Sequence, residues 1–138
     1  MPNAPSPAGP ALPALIIAQP GALRDAWRAL LMTIPRVGDI EQAADAGAAL
    51  QAVARRRPGL VVVEARWPHG EVTRLLSQIK AISPETRRVV MVETVQQRRA
   101  LAATAAEAVM LQGAPAAVVA AALERLLAGP ADPSLELS

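Results

Sequence analysis

The sequence predicts a single doubly wound α/β domain built on a five-stranded parallel sheet. Short apolar segments alternate with longer segments in which apolar residues recur every three or four positions. The apolar segments begin near residues 14, 37, 60, 88 and 108, and these spacings of 20 to 28 residues are what right-handed strand-helix-strand crossovers require. A length of 138 residues, with 52% hydrophobic and 19% charged residues, suits one globular domain.

The sequence marks some of the five strands more strongly than others. Leu60 to Val63 is an unbroken apolar run, as expected of a central parallel strand that is covered on both faces. The first strand lies in the segment LPALIIA and ends at Ala18 and Gln19, and the second is the weakest. The expected strands span residues 12–18, 37–41, 60–63, 88–92 and 108–111.

Helices are expected after each strand. From Val72 to Ile82, apolar residues recur at spacings of three and four, which marks one face of a helix. Trp27 recurs with leucines at the same spacing, so we expect it in the core. Pro115 suits the first turn of the last helix, which ends before Gly129. The expected helices span residues 21–33, 46–57, 72–82, 95–106 and 114–128.

Both ends of the chain lack hydrophobic periodicity. Residues 1–11 are dense in proline and are expected to form an extended or disordered leader, residues 12–128 the domain, and residues 129–138 a flexible tail. No apolar run reaches the roughly 18 to 20 residues that a bilayer span requires. No basic residue precedes Arg24, unlike the start of a secretory signal. We therefore expect a cytoplasmic protein that makes no membrane contact.

The composition excludes most kinds of catalytic and metal site. The chain has no cysteine, which excludes disulfides and thiolate chemistry, and His69 is its single histidine. His69 lies in a Pro-His-Gly segment with no partner fixed near it, so we expect an exposed turn residue and not a catalytic base. No glycine-rich phosphate loop occurs. We expect neither an enzyme nor a bound cofactor or metal.

In a doubly wound sheet, a site is expected at the carboxyl ends of the strands. The sequence places Gln19, Glu64, Glu93, Thr94 and Gln112 there. Thr94 also begins a T-x-x-Q pattern, which predicts a capping box at the start of the fourth helix. The candidate crevice therefore holds a small set of polar groups.

These segments resemble the receiver domain of bacterial response regulators over residues 13–128. The segment LVVVEARWP is similar to the receiver stretch in which the phosphoaccepting aspartate ends the third strand, and AADAGAAL, VVMVET and AVMLQGAP follow the same order. The resemblance implies the flavodoxin-like receiver fold, with strand order 2-1-3-4-5. It also implies that Glu64 occupies the phosphoacceptor position.

Several positions depart from the receiver pattern. The acidic pair that holds a divalent metal corresponds to Ala18 and Gln19, the lysine that pairs with the phosphoryl group corresponds to Gln112, and the switch aromatic corresponds to Val109. Only Thr94 is unchanged. The resemblance is therefore to a degenerate, or pseudo-, receiver that is not phosphorylated. Glu64 itself has two open interpretations, a permanent mimic of the phosphorylated state or a structural carboxylate.

The last two helices carry more small apolar positions than one buried face uses. They could form a docking or homodimer face, or they could reflect alanine enrichment, which raises helix propensity without a partner. The candidate interface residues are Ala102, Ala105, Val109, Val118, Val119 and Ala122. Trp67 is either a surface contact or a lid on the sheet edge.

The chain has 14 cations against 12 anions. Its arginine clusters fall on helix ends and on a strand start, and Arg55 to Arg57 suit a helix C-terminus, so direct nucleic-acid contact is not expected. The sequence predicts an atypical receiver domain of bacterial two-component signal transduction. It would act without phosphorylation, by contact with another signalling protein or by homodimerisation. Two alternatives stay open, a domain that senses a small molecule in the crevice and a basic nucleic-acid accessory protein.

Overall fold

The structure, a computed structural model, describes residues 11–65, 69–101 and 106–128, with the backbone alone at residue 69. Strands and helices alternate throughout the described chain. The strands are β1 (Leu12–Ile17), β2 (Val37–Ala43), β3 (Leu60–Glu64), β4 (Arg87–Val92) and β5 (Ala108–Leu111). The helices are α1 (Ala22–Leu31), α2 (Ala46–Arg56), α3 (His69–Ile82), α4 (Val95–Leu101) and α5 (Ala116–Leu127).

The strands form one parallel sheet in the order β2-β1-β3-β4-β5. This confirms the predicted fold class and strand order. The pairing of β1 with β2 shifts between Leu12 and Ala14, around Pro13. Proline has no backbone N–H to donate to a ladder, so a bulge is where an inner strand tolerates it. The Pro13 carbonyl instead accepts the Gly59 N–H at 2.8 Å on the β3 side.

Side-chain alternation along the strands divides the core into two layers. On one face Ile17, Val61 and Val63 pack against α2, α3 and α4. On the other face Ile16 and Val62 join residues of α1 and α5. All five residues of β3 are buried, which confirms it as a central strand covered on both faces. Trp27 is buried in the layer beneath α1 and α5, as its spacing predicts.

Most element boundaries differ from the sequence prediction by one or two residues, and the differences in β2, α3 and α4 change an assignment. β2 continues to Ala43, two residues beyond the expected end. α3 begins at His69, so this histidine lies in the first turn of a helix and not in an isolated turn, which corrects the sequence assignment. The fourth helix does not extend to Ala106, because the next residue, Glu107, already donates its N–H to the Arg88 carbonyl of β4 at 2.8 Å.

Several predictions concern residues that lie outside the described part of the chain. They are the leader apart from Ala11, the tail over residues 129–138, Trp67, Ala102 and Ala105. Among the helices that the structure describes, none is both long enough and apolar enough to cross a bilayer.

The arginines at the end of α2 have local partners. Arg55 forms a salt bridge with Glu41, and Arg56 pairs with Asp39 at 3.2 Å. Arg57 ends the helix in the left-handed region, with φ of 45°, and donates its Nη1 to the Ile82 carbonyl at 2.9 Å. These contacts fit the interpretation of the cluster as a helix terminus.

Candidate functional site at the carboxyl edge of the sheet

The strand register brings the predicted crevice residues to one edge of the sheet. Ile17 is paired with Val63, which places Ala18 level with Glu64. Glu64 is paired with Met91. The next strands continue the edge, because the Gln112 N–H donates to the Val92 carbonyl at 2.8 Å. The prediction that these positions share an edge therefore agrees with the register.

Glu64 is the last residue of β3, and only 5% of its surface is exposed. Its neighbour in register, Ala18, is 2% exposed and donates its N–H to the Ala43 carbonyl at 3.0 Å. The next residue along the chain, Ala65, is also buried and donates its N–H to the Met91 carbonyl. Glu64 is thus a buried residue with two buried alanines as neighbours, Ala18 in register and Ala65 in sequence.

The Gln19 side chain is bonded to the loop before α2. Its Nε2 donates to the Ala44 carbonyl at 2.8 Å, although the residue as a whole is exposed. This bond joins the end of β1 to the end of β2. Gln19 corresponds to one position of the acidic pair of receiver domains, and in this chain its side-chain amide holds two loops together.

The loop between β4 and α4 is fixed by a capping box. Thr94 Oγ1 accepts the Gln97 N–H at 3.0 Å, and Gln97 Oε1 accepts the N–H groups of Glu93 at 2.7 Å and Thr94 at 3.2 Å. The predicted T-x-x-Q cap is confirmed. Gln97 Nε2 also donates to the Ala65 carbonyl at 3.4 Å, which connects this loop to the end of β3. The sequence does not reveal this last contact, because the two residues are far apart along the chain.

Gln112 lines a separate cavity. Residues 108, 110 and 112 alternate onto the sheet face that α1 and α5 cover, and there the Gln112 side chain meets Trp27 and Val119 across a cavity of about 240 Å³. Its Nε2 is buried and has no hydrogen-bond partner within residues 11–65, 69–101 and 106–128. No hydrogen bond from this nitrogen therefore reaches Glu64. The sequence pattern predicts Gln112 among the crevice residues and does not indicate the cavity, for which the only sequence signal is the even spacing of residues 108, 110 and 112.

The residues at this edge do not fit a magnesium ion. Receiver domains are expected to hold Mg²⁺ with an acidic pair, and here the two positions are a buried methyl group at Ala18 and an amide at Gln19 that is bonded to the Ala44 carbonyl. Mg²⁺ requires oxygen ligands in near-octahedral geometry, with carboxylates among them. Within the described ranges, no three histidines or acidic residues come together in a possible metal site.

The candidate interface residues separate by burial. Val118 is 58% exposed, whereas Val119 is 6% exposed and packs into the core beneath α1. Val119 therefore cannot form part of an outer contact face, since it shares a helical phase with the buried Leu123. Ala122 and Val109 are half-buried, and Val109 packs against the layer beneath α2, α3 and α4.

Comparison with solved structures finds receiver domains. A LuxR-family two-component response regulator from Aurantimonas sp. SI85-9A1 is 21% identical, with 86% of each chain covered and a TM-score of 0.75. The isolated receiver domain of RcsB from Salmonella enterica serovar Typhimurium is 17% identical over 86% of this chain and 90% of that one, with a TM-score of 0.75. A CheY-like receiver domain protein from Methanospirillum hungatei JF-1 is 18% identical over 85% of this chain and 94% of that chain, with a TM-score of 0.71.

These similarities establish the fold. The chain has the flavodoxin-like fold of response-regulator receiver domains, with the same sheet order and five flanking helices. No family model matches the sequence, and no curated protein matches it.

Proposed function

We propose that this domain is a signalling module of the two-component type whose output does not depend on phosphorylation. The observation that carries the proposal is the position of Glu64, a residue that is 5% exposed at the end of β3 and level with the buried Ala18. The receiver fold supports the signalling class. On this proposal the domain is a cytoplasmic, degenerate receiver without enzymatic activity.

The charges at the edge argue against phosphoryl transfer. Phosphoryl transfer depends on positioning and on neutralising negative charge with metal and cationic groups. Here neither Ala18 nor Gln19 supplies a carboxylate for a metal, and Gln112 supplies a neutral amide where a lysine would balance the phosphoryl group. A phosphoryl group at Glu64 would add a second negative charge at a buried position, and none of the side chains of Ala18, Gln19 and Gln112 carries a positive charge to balance it.

Incubation with acetyl phosphate and Mg²⁺ tests this proposal. We expect intact-mass spectrometry to find the wild type unmodified. We also expect the Glu64→Asp variant to stay unmodified, because restoring the usual phosphoacceptor does not restore the metal site. A stoichiometric phosphoryl adduct on the wild type that is absent from Glu64→Gln would overturn the proposal.

The output is proposed to pass through the outer face of α5. Val118 is 58% exposed and lies beside the exposed Ala117 and Ala121, so this face offers small apolar side chains for contact with a second copy or with another signalling protein. Exposed apolar groups of this kind are common in contact surfaces when they are contiguous.

Light scattering across a concentration series tests self-association through this face. We expect a concentration-dependent dimer that Val118→Glu abolishes, because a charge would be buried in the contact. Met32→Glu is the matched control, since Met32 is an equally exposed apolar residue at the end of α1. A wild-type protein that stays monomeric, or a dimer that Val118→Glu leaves intact, would contradict self-association through α5.

A further inference from the structure

A cavity of about 240 Å³ lies between α1 and α5, beside the ends of β4 and β5. We call it the α1-α5 cavity. Its principal lining side chains are apolar, apart from one amide, and they are Leu23, Trp27, Leu30, Met91, Gln112 and Val119. A cavity of roughly 150 Å³ already admits benzene when its lining is apolar. The α1-α5 cavity is therefore large enough for a substituted ring, and it is smaller than a typical pocket for a drug-sized ligand.

The amide of Gln112 is the polar group of this cavity. Its Nε2 is buried and has no hydrogen-bond partner among the described residues. A buried donor without an acceptor carries a desolvation penalty, and a ligand that supplies the acceptor removes it. The backbone on either side holds the amide in place, because the Gln112 N–H is bonded to the Val92 carbonyl and Gly113 turns the chain towards α5 with φ of 96°.

The lining also limits the charge and shape of a ligand. None of the residues around the cavity is charged, so a charged group placed against them would find no side chain of opposite charge. Trp27 is buried and contributes its ring to the wall, where an aromatic ligand gains contact area and a favourable ring pair. Apolar walls with one convergent polar group are typical of small-molecule sites.

We propose that the α1-α5 cavity binds a small neutral aromatic molecule that carries one hydrogen-bond acceptor, and that this acceptor receives the Nε2–H of Gln112. The site is separate from the crevice at Glu64. It does not depend on the proposed signalling function, because its lining residues do not include Glu64, Thr94 or Val118.

Two probes of the same shape test the polar contact on the full chain. Acetophenone carries a carbonyl oxygen, and α-methylstyrene places a CH₂ group where that oxygen lies. We expect acetophenone to bind saturably with a Kd on the order of 0.1–1 mM, as for a good ligand of its size. In ¹H-¹⁵N spectra it should shift the Gln112 side-chain amide and the Trp27 indole signals, with a Trp67→Phe variant assigning the two indoles. We expect α-methylstyrene to bind about tenfold more weakly, which is the effect of one hydrogen bond.

Three variants separate the polar contact from the cavity itself. Gln112→Leu should bind the two probes equally, because it removes the donor. Ala26→Phe should lose both probes, since Ala26 lines the cavity from the exposed side of α1 and a ring there fills the space. Ala29→Phe is the matched control, because Ala29 is exposed on the same helix and does not line the cavity, and it should bind as the wild type does.

Three results would overturn the proposal. One is the absence of saturable acetophenone shifts at Gln112 and Trp27. Another is equal affinity of the wild type for both probes, which would leave the amide without a role. The third is full binding by Ala26→Phe, which would place the probe elsewhere. A dimer that covers the cavity would give the first result together with a doubled mass in light scattering. The phosphorylation test at Glu64 is independent of all three.

Discussion

The ion pair between Arg88 and Glu107 is expected to be the polar contact whose loss destabilises the domain most. Arg88 lies in β4 and is fully buried, and Glu107 directly precedes β5. The Glu107 carboxylate accepts three hydrogen bonds from Arg88. The donors are the backbone N–H at 2.6 Å, the side-chain Nε at 3.1 Å and the side-chain Nη2 at 2.6 Å. Arg88 Nη1 donates to the Leu76 carbonyl of α3 at 3.2 Å. One pair thus joins two strands and a helix.

The substitution Glu107→Gln keeps the shape of the side chain and removes its charge. The glutamine amide has one oxygen left to accept the three N–H donors of Arg88. Its NH₂ group, which is itself a donor, then faces one of those donors. Removing one partner of a buried ion pair costs about 3–5 kcal/mol, because the remaining charge is uncompensated. We take the lower end, about 3 kcal/mol, since the Glu107 side chain is 31% exposed and water can reach it. With about 3–4 °C per kcal/mol for a domain of this size, the Tm should fall by about 10 °C.

Urea unfolding followed by circular dichroism measures this loss. Glu41→Gln is the control, because Glu41 pairs with Arg55 at the surface, where ion pairs contribute about 0–1 kcal/mol. In an Arg88→Met background, Glu107→Gln should cost less than about 1 kcal/mol, since no buried charge is left behind. If Glu107→Gln destabilises the wild type no more than Glu41→Gln does, the argument from burial is wrong.

Two further substitutions test the loops around the sheet. Gln97→Ala should lower the free energy of unfolding by about 1 kcal/mol. It should also speed amide exchange at Glu93 and Thr94, because their N–H groups lose their acceptor. Unchanged exchange at these two residues would contradict the capping box. Arg57→Ala should cost about 1 kcal/mol in urea unfolding, because it loses the bond to the Ile82 carbonyl and keeps a positive φ. Arg57→Gly should stay near wild-type stability, since glycine relieves that φ, and an equal loss in both variants would refute this reasoning.

The fold was predictable because its signals are local. The apolar run from Leu60 to Val63 and the periodicity from Val72 to Ile82 each mark an element without reference to the rest of the chain. The missed boundaries occur where local signals conflict. The Pro-His-Gly segment looks like a turn, although a proline at this point is also common where a helix begins, and α3 does begin at His69.

The side-chain partners were less predictable because they depend on contacts between distant residues. The sequence places Arg88 in an arginine pair that looks like a solvated surface, yet Arg88 shares the inward face of β4 with Val90 and is fully buried. Its partner Glu107 follows 19 residues later, and only the pairing of β4 with β5 brings them together. The same holds for Gln112, because the sequence predicts its place at the carboxyl edge but not that its Nε2 lacks a hydrogen-bond partner among the described residues.

The hydrogen bonds at the carboxyl edge bear on where a signal could enter this domain. Gln19 joins the ends of β1 and β2, and Gln97 joins the β4-α4 loop to the end of β3, so both amides are already engaged in bonds that the chain makes with itself. In the α1-α5 cavity, by contrast, the Gln112 Nε2 has no hydrogen-bond partner among the residues that the structure describes. Val119 lines that cavity and Val118 lies next to it on the outer face of the same helix. A ligand in the cavity would therefore contact the same helix that carries the proposed contact face.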